Sequence, residues 1–248
     1  MTHASRSFVR MSIRSALFGL FLVLVSIHPL SAQVGGGGMA QGLLKEKLAS
    51  IKASVAENQQ KLHSYTWTET SVITVNGREM PPKESICSYG PDGKIQKVPV
   101  GGAADTASEN HGGRLMQRIV EKKKADMTDY MQQVGQVIAL YVPPDPQKMQ
   151  QSFEAKKVSF ELDSGQADLV FKDYAQHGDS MTIDFDTASH KIRTLRVNTW
   201  LDSPQDAVTL VVDFATLPDG TNHPSRTTLD AQAKGIHVVS TESNYHKG

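Results

Sequence analysis

The stretch 180–220, SMTIDFDTASHKIRTLRVNTWLDSPQDAVTLVVDFATLPDG, decides the fold. Three runs, near 180–186, 191–200 and 206–216, are rich in Val, Ile, Thr and Phe and alternate apolar with polar residues. That is the period of a strand with one buried face. Between them stand Asp186-Thr187-Ala188-Ser189, Asp202-Ser203-Pro204 and Pro218-Asp219-Gly220, which carry the chemistry of tight turns. Strands joined by such short connections are antiparallel neighbours, because a parallel crossover needs a dozen residues or more.

The same rhythm extends to both sides. Further runs lie near 156–162, 167–174, 224–232 and 235–246, with turns at Ser164-Gly165, His177-Gly178-Asp179 and Lys234-Gly235. Toward the N-terminus, Tyr65, Trp67, Ile73 and Val75 share one strand face and Thr66, Thr68, Thr70 and Thr74 the other. Asn76-Gly77 then marks a hairpin. Its returning strand is interrupted by Pro81-Pro82, which places that stretch at an edge or bulge. Pro91-Asp92-Gly93 turns the chain once more, and a small-residue loop, 99–113, is expected to be exposed and mobile.

Two segments have helical spacing. Leu44, Leu48, Ile51, Val55 and Leu62 form one stripe over 43–62, and Leu115, Met116, Ile119, Met127, Tyr130, Met131, Val134, Val137, Ile138 and Tyr141 another over 114–141. Pro143-Pro144 stops the second. The expected fold class is α+β: a large curved antiparallel sheet of about 9–11 strands, an unclosed half-barrel with two main helices packed on its concave side.

Compartment is read from residues 1–32. Arg6, Arg10 and Arg14 precede an uncharged apolar run from Ala16 to Ile27, then Pro29 and the small pair Ser31-Ala32, the layout of a cleaved signal peptide. The run is shorter than the roughly 20 residues that span a bilayer. No cysteine stands nearby to receive a lipid. Residues 33–42, with four consecutive glycines, read as a flexible lead-in to a single domain over 43–248. The expectation is a periplasmic or secreted protein with no integral membrane segment after processing. Of the 26 basic residues only three lie in 1–32, against 26 acidic residues elsewhere, so the mature chain is slightly acidic. A nucleic-acid partner is not expected, since no basic excess exists to neutralise phosphates. The single cysteine, Cys87, excludes an intramolecular disulfide.

An exported chain with a long amphipathic helix, a first hairpin opening at Tyr65-Thr66-Trp67, a central helical insertion and a β-meander resembles the LolA-like superfamily, which includes LolA, LppX and RseB-type half-barrels. Its wording is closest in Ile183-Asp184-Phe185-Asp186 before Lys191-Ile192, and in Val211-Val212-Asp213-Phe214 running into Leu217-Pro218-Asp219-Gly220 and Pro224-Ser225-Arg226. The resemblance implies an apolar cavity on the concave side that takes a lipid or lipoprotein acyl chain, a carrier or sorting role without catalysis and without a cofactor. Candidate cavity residues are Trp67, Met116, Met127, Met131, Phe160, Phe171, Phe185, Trp200 and Phe214. Met suits a pocket that adapts to variable cargo. The competing reading of each is ordinary core. On the same scaffold the alternative partner is an envelope protein, bound through strand edges and the 99–113 loop.

Other chemistry is weaker. Glu69 shares the face of Tyr65 and Trp67, so its carboxylate must lie at a rim, pair with a base or end in a bulge. Gly178-Asp179-Ser180-Met181 has the wording of a GDS-type esterase block, but a strand rather than a helix follows, and Asp186 with His190 and Asp219 with His223 are one residue too far apart. A hydrolase is the remote alternative, and a turn into a strand the better reading. None of His63, His111, His177, His190, His223, His237 and His246 has zinc-site spacing. His237 is the one that alternation could turn inward. Cys87 reads as a small hydrophobe, and Glu121-Lys122-Lys123-Lys124 as a solvated helix face.

Overall fold

The computed structural model describes residues 38–101, 114–163 and 165–248. The expected signal peptide, the glycines before Gly38 and most of the 99–113 loop lie outside the described residues. In chain order the elements are α1 (Gly38–Leu62), β1 (Tyr65–Val75), β2 (Arg78–Glu79), β3 (Lys83–Tyr89), β4 (Ile95–Pro99), α2 (Arg114–Ile138), α3 (Pro146–Glu154), β5 (Val158–Asp163), β6 (Gln166–Lys172), β7 (Ser180–Asp186), β8 (Ile192–Trp200), β9 (Ala207–Thr216), β10 (Asn222–Ala231), a single 3-10 turn (Gln232–Lys234) and β11 (Ile236–Lys247). Helix α1 begins inside the stretch expected as a flexible lead-in.

All eleven strands form one antiparallel sheet that does not close into a barrel, in the order β4-β3-β1-β11-β10-β9-β8-β7-β6-β5, with β2 paired on β1. The fold class is the expected one, α+β. The meander from β5 to β11 follows chain order. The junction between β1 and β11 does not: Ile73 stands opposite Val238 and Val75 opposite Ile236, joining the N-terminal hairpin to the C-terminal strand. Asn76 and Gly77 both adopt positive φ, the left-handed pair that a tight hairpin demands.

Periodicity points to two helices, and the structure adds a third, α3. Asp145 caps it, accepting from the N–H of Gln147 at 2.8 Å. Pro146 opens it, at a position where a missing donor costs nothing.

The core lies on one face of the sheet, here the inner face. Leu169, Phe171, Met181, Ile183, Phe185, Leu195, Val197, Val208, Leu210 and Val212 point into it from β6 to β9. Helix α2 covers them with Tyr130, Val134 and Ile138, spaced four apart on one stripe. Its opposite face, including Glu121 to Lys124, is exposed as expected. A buried carboxylate secures the chain leaving α2. Asp179 accepts from the N–H groups of Tyr174 (2.6 Å), Ala175 (3.0 Å) and Gln176 (2.6 Å) and from the Tyr141 hydroxyl, which also meets Thr199 at 2.7 Å. Asp179 therefore closes a turn, and Ser180 begins β7, its Oγ accepting from Asn198 Nδ2 at 3.3 Å.

Candidate functional site

The inner face is filled unequally. On β6 to β9 its apolar residues are almost wholly buried, with Leu169, Phe171, Met181, Phe185, Val197, Val208 and Val212 at 0 % exposure. Toward β10, β11 and β1 the register continues the same face through Leu229, Val238 and Ile73, and all three are only partly covered. Farther along β1 and β11 that face turns polar. Ser71 and Ser240 share a hydrogen bond at 2.8 Å, and Glu69 and Glu242 stand directly opposite one another.

Two carboxylates side by side on adjacent strands repel each other, and each resolves the repulsion differently. Glu69 takes Lys97 from β4, whose Nζ lies 2.6 Å from both of its oxygens. Glu242 accepts from the Tyr245 hydroxyl. Burial, opposed by the Tyr245 hydrogen bond and assisted by the Glu69 charge, pushes the Glu242 carboxyl up to about 7. The partner of Glu69 comes from β4, two strands away across β3, and their meeting depends on the registers of both pairings, so the base could not be named from sequence.

Beyond the carboxylates sits a second aromatic cluster, separate from the α2-covered core. Trp67 stacks on Tyr245, with ring centroids 5.5 Å apart and planes 8° from parallel, and packs on Tyr89 at 5.6 Å. His223 lies 4.1 Å from the Tyr245 ring, its Nδ1 donating to the Pro224 carbonyl at 2.6 Å, and burial lowers its pKa. The C-terminus of α1 closes this end: Asn58 exchanges two hydrogen bonds with the Asn222 backbone, and His63 stacks on Tyr89. A cavity of about 10 Å³ remains between Leu62, Trp67, Tyr89, Glu242 and Tyr245. That holds about one water-sized group. The indole Nε1 of Trp67, a residue 3 % exposed, has no hydrogen-bond partner among the described residues. A second, open groove of about 340 Å³ lies on the surface between Val137 of α2, Leu140 just beyond it and Leu201.

The residues expected to line one cavity are thus distributed. Phe171 and Phe185 are fully buried in the main core. Met127, Met131, Phe160 and Phe214 pack around its margin, partly covered. Trp67 belongs to the second cluster. Trp200 is not brought to the inner face: Val197 and Thr199 point in, so Trp200 alternates outward and packs over Gly178. The side chain of Met116 lies outside the described residues. His237 is a further correction, because Ile236 and Val238 point inward and leave it on the outer face, 2.6 Å from Asp230. Cys87 is buried, and desolvation raises its thiol to about 11, which leaves it protonated and unreactive at neutral pH. His111 lies outside the described residues. Among the described residues no group of three or more His, Cys, Asp or Glu is placed to hold a metal ion, and no helix is long and apolar enough to cross a membrane.

No family model and no curated protein matches the sequence. Among solved structures, a DUF1329 family protein from Desulfovibrio piger aligns over 80 % of this chain and 92 % of its own at 9 % identity, with a TM-score of 0.35. A LolA superfamily protein from Nitrosomonas europaea aligns over 80 % of this chain and 93 % of its own at 8 % identity, with a TM-score of 0.34.

Proposed function

We propose that the protein is a non-catalytic exported binding protein that takes the acyl chain of a lipid or lipoprotein on the inner face of its sheet. The observation that carries this reading is the unequal filling of that face. One half, from β6 to β9, buries most of its apolar side chains completely under α2. On the other, Ile73, Leu229 and Val238 keep part of their surface uncovered. Met127 and Met131 stand partly covered at the margin of the core, and both are unbranched and adaptable. Each methylene withdrawn from water contributes about 0.8 kcal/mol, so a long chain gains on the order of 10 kcal/mol before ordering costs. Native mass spectrometry of protein isolated from an envelope fraction, followed by titration with dodecanoate, tests it. Co-purified lipid or stoichiometric uptake supports the proposal, and a chain that stays empty at saturating dodecanoate refutes it.

A second reading, an interaction module for an envelope protein, has its own observation. Edge strand β4 and its neighbour β3 expose the cross-strand pair Val98 and Ile86, at 63 % and 49 %, with Val100 beside them at 46 %. An apolar, unpaired edge invites strand addition by another chain. Retention of a binding partner by wild type but not by Val98→Lys, in protein that takes up no dodecanoate, would favour it.

A further inference from the structure

We propose that Glu242 sets the head-group specificity of the acyl-binding face through its charge: an anionic amphiphile is taken up only together with a proton, and a neutral one without. This rests on the acyl-binding reading above and names the class of head group that reading leaves open.

The layout of the seam between β1 and β11 gives the guest a direction. Register sets Ile73 opposite Val238, Ser71 opposite Ser240 and Glu69 opposite Glu242, so the inner face runs from apolar side chains through hydroxyls to two carboxylates. Glu242 stands four residues beyond Val238, about 13 Å along the strand. A twelve-carbon chain covers that span. With its tail against Ile73 and Val238, the guest directs its head group toward the polar end, because the reverse orientation leaves a polar head on apolar surface.

At that end two acids share one base. Lys97 Nζ lies 2.6 Å from both oxygens of Glu69 and compensates that charge. Glu242 accepts only from the neutral Tyr245 hydroxyl, and among the described residues no base forms an ion pair with it. The other titratable groups around it are Cys87 and Tyr89 on β3, both held protonated by burial, and His223 on β10, which lies against the Tyr245 ring and whose pKa burial lowers. From α1, His63 stacks on Tyr89. With Glu69 and Glu242 both ionised the cluster carries one net negative charge, which opposes an anionic head group. A proton on Glu242 removes it. Burial already pushes that carboxyl up to about 7, so the proton is within reach near neutrality, and an arriving anion strengthens its hold. A neutral head group asks for none.

The test uses dodecanesulfonate, which stays an anion at every pH used, and 1-monolauroylglycerol, which is neutral, both below their micelle concentrations. Between pH 6 and pH 8 the Kd for dodecanesulfonate should rise about tenfold, as one linked group passes from mostly protonated to mostly ionised. The Kd for monolauroylglycerol should stay constant. Calorimetry at pH 7 in phosphate and in Tris should report uptake of about half a proton per dodecanesulfonate and none per monolauroylglycerol. Glu242→Gln should bind dodecanesulfonate with the same Kd at both pH values. A dodecanesulfonate affinity that ignores pH, a pH dependence that survives Glu242→Gln, or exclusion of dodecanesulfonate at both pH values overturns the assignment, and monolauroylglycerol binding then shows the acyl reading intact. If neither amphiphile binds, the acyl reading fails and the specificity falls with it. If Glu242→Gln does not fold, the buffer-dependent heat of the wild type decides alone.

Discussion

Glu242 is the residue whose charge the fold tolerates least. Burial raises its carboxyl from 4.5 to about 7, an effect the Tyr245 hydrogen bond offsets only in part. Between those values the folded state holds a proton that the unfolded chain has released. Stability therefore falls as pH rises through that window and stays reduced above it. Converted by linkage, the loss is about 3 kcal/mol at pH 8. Glu242→Gln keeps an acceptor for Tyr245 and removes the charge. It should melt higher than wild type at pH 8 and equal to it near pH 4, by thermal unfolding followed across pH. A variant less stable at pH 8 would show that the charged form is the one the site favours. Asp219 has the opposite sign: hydrogen bonds from Tyr65 and Lys247 hold its carboxyl well below the ordinary range, so that contribution fades only in strong acid.

At the scale of elements, the turn before β7 depends on one side chain. Removing Asp179 strands three backbone N–H groups, and leaves the Tyr141 hydroxyl with Thr199 alone, at a site where Asp179 itself is 3 % exposed. Each orphaned buried group costs about 1–3 kcal/mol, so Asp179→Ala should destabilise by roughly 3–5 kcal/mol in urea unfolding. Ile138→Ala, at the packed end of α2, should cost about 2–4 kcal/mol by leaving a cavity. The strands around this turn were legible because alternation and turn chemistry are local: 180–186 agrees residue for residue with β7, and Pro81-Pro82 falls in the gap between β2 and β3. Helix α3 had a local signal too, Asp145 followed by Pro146, but so short a helix offers too little periodicity to stand out. What sequence could not reveal is long-range. The β1 to β11 pairing joins the first long strand to the last, and it brings Glu69 to Glu242 and Trp67 to Tyr245. Neither the carboxylate pair nor the aromatic cluster has any signature along the chain, because their members meet only after the sheet has formed.

For the whole molecule, the sheet is a stiff half and a looser half sharing one backbone network. Amides of β7, β8 and β9 lie under completely buried side chains, so they should exchange only on global unfolding. Those of β3 and β4, with exposed Ile86 and Val98, should exchange through smaller openings. Hydrogen exchange resolved by strand checks this ordering. The same asymmetry separates a binding surface from a core. Val212 and Val238 are both valines on the inner face, but Val212 is 0 % exposed while Val238 is partly open. A carboxylate at position 212 would be buried without a partner, and Val212→Glu should abolish folding. At position 238 the new carboxylate can reach solvent, so Val238→Glu should fold with a loss of about 1–2 kcal/mol. If a guest chain lies against Val238, that folded variant should fail to take up dodecanoate, since a charge in its path forfeits the transfer energy of the neighbouring methylenes. Uptake unchanged in Val238→Glu would move the acyl site off this half of the sheet, and unfolding of Val238→Glu would mean that this half is packed as tightly as the other.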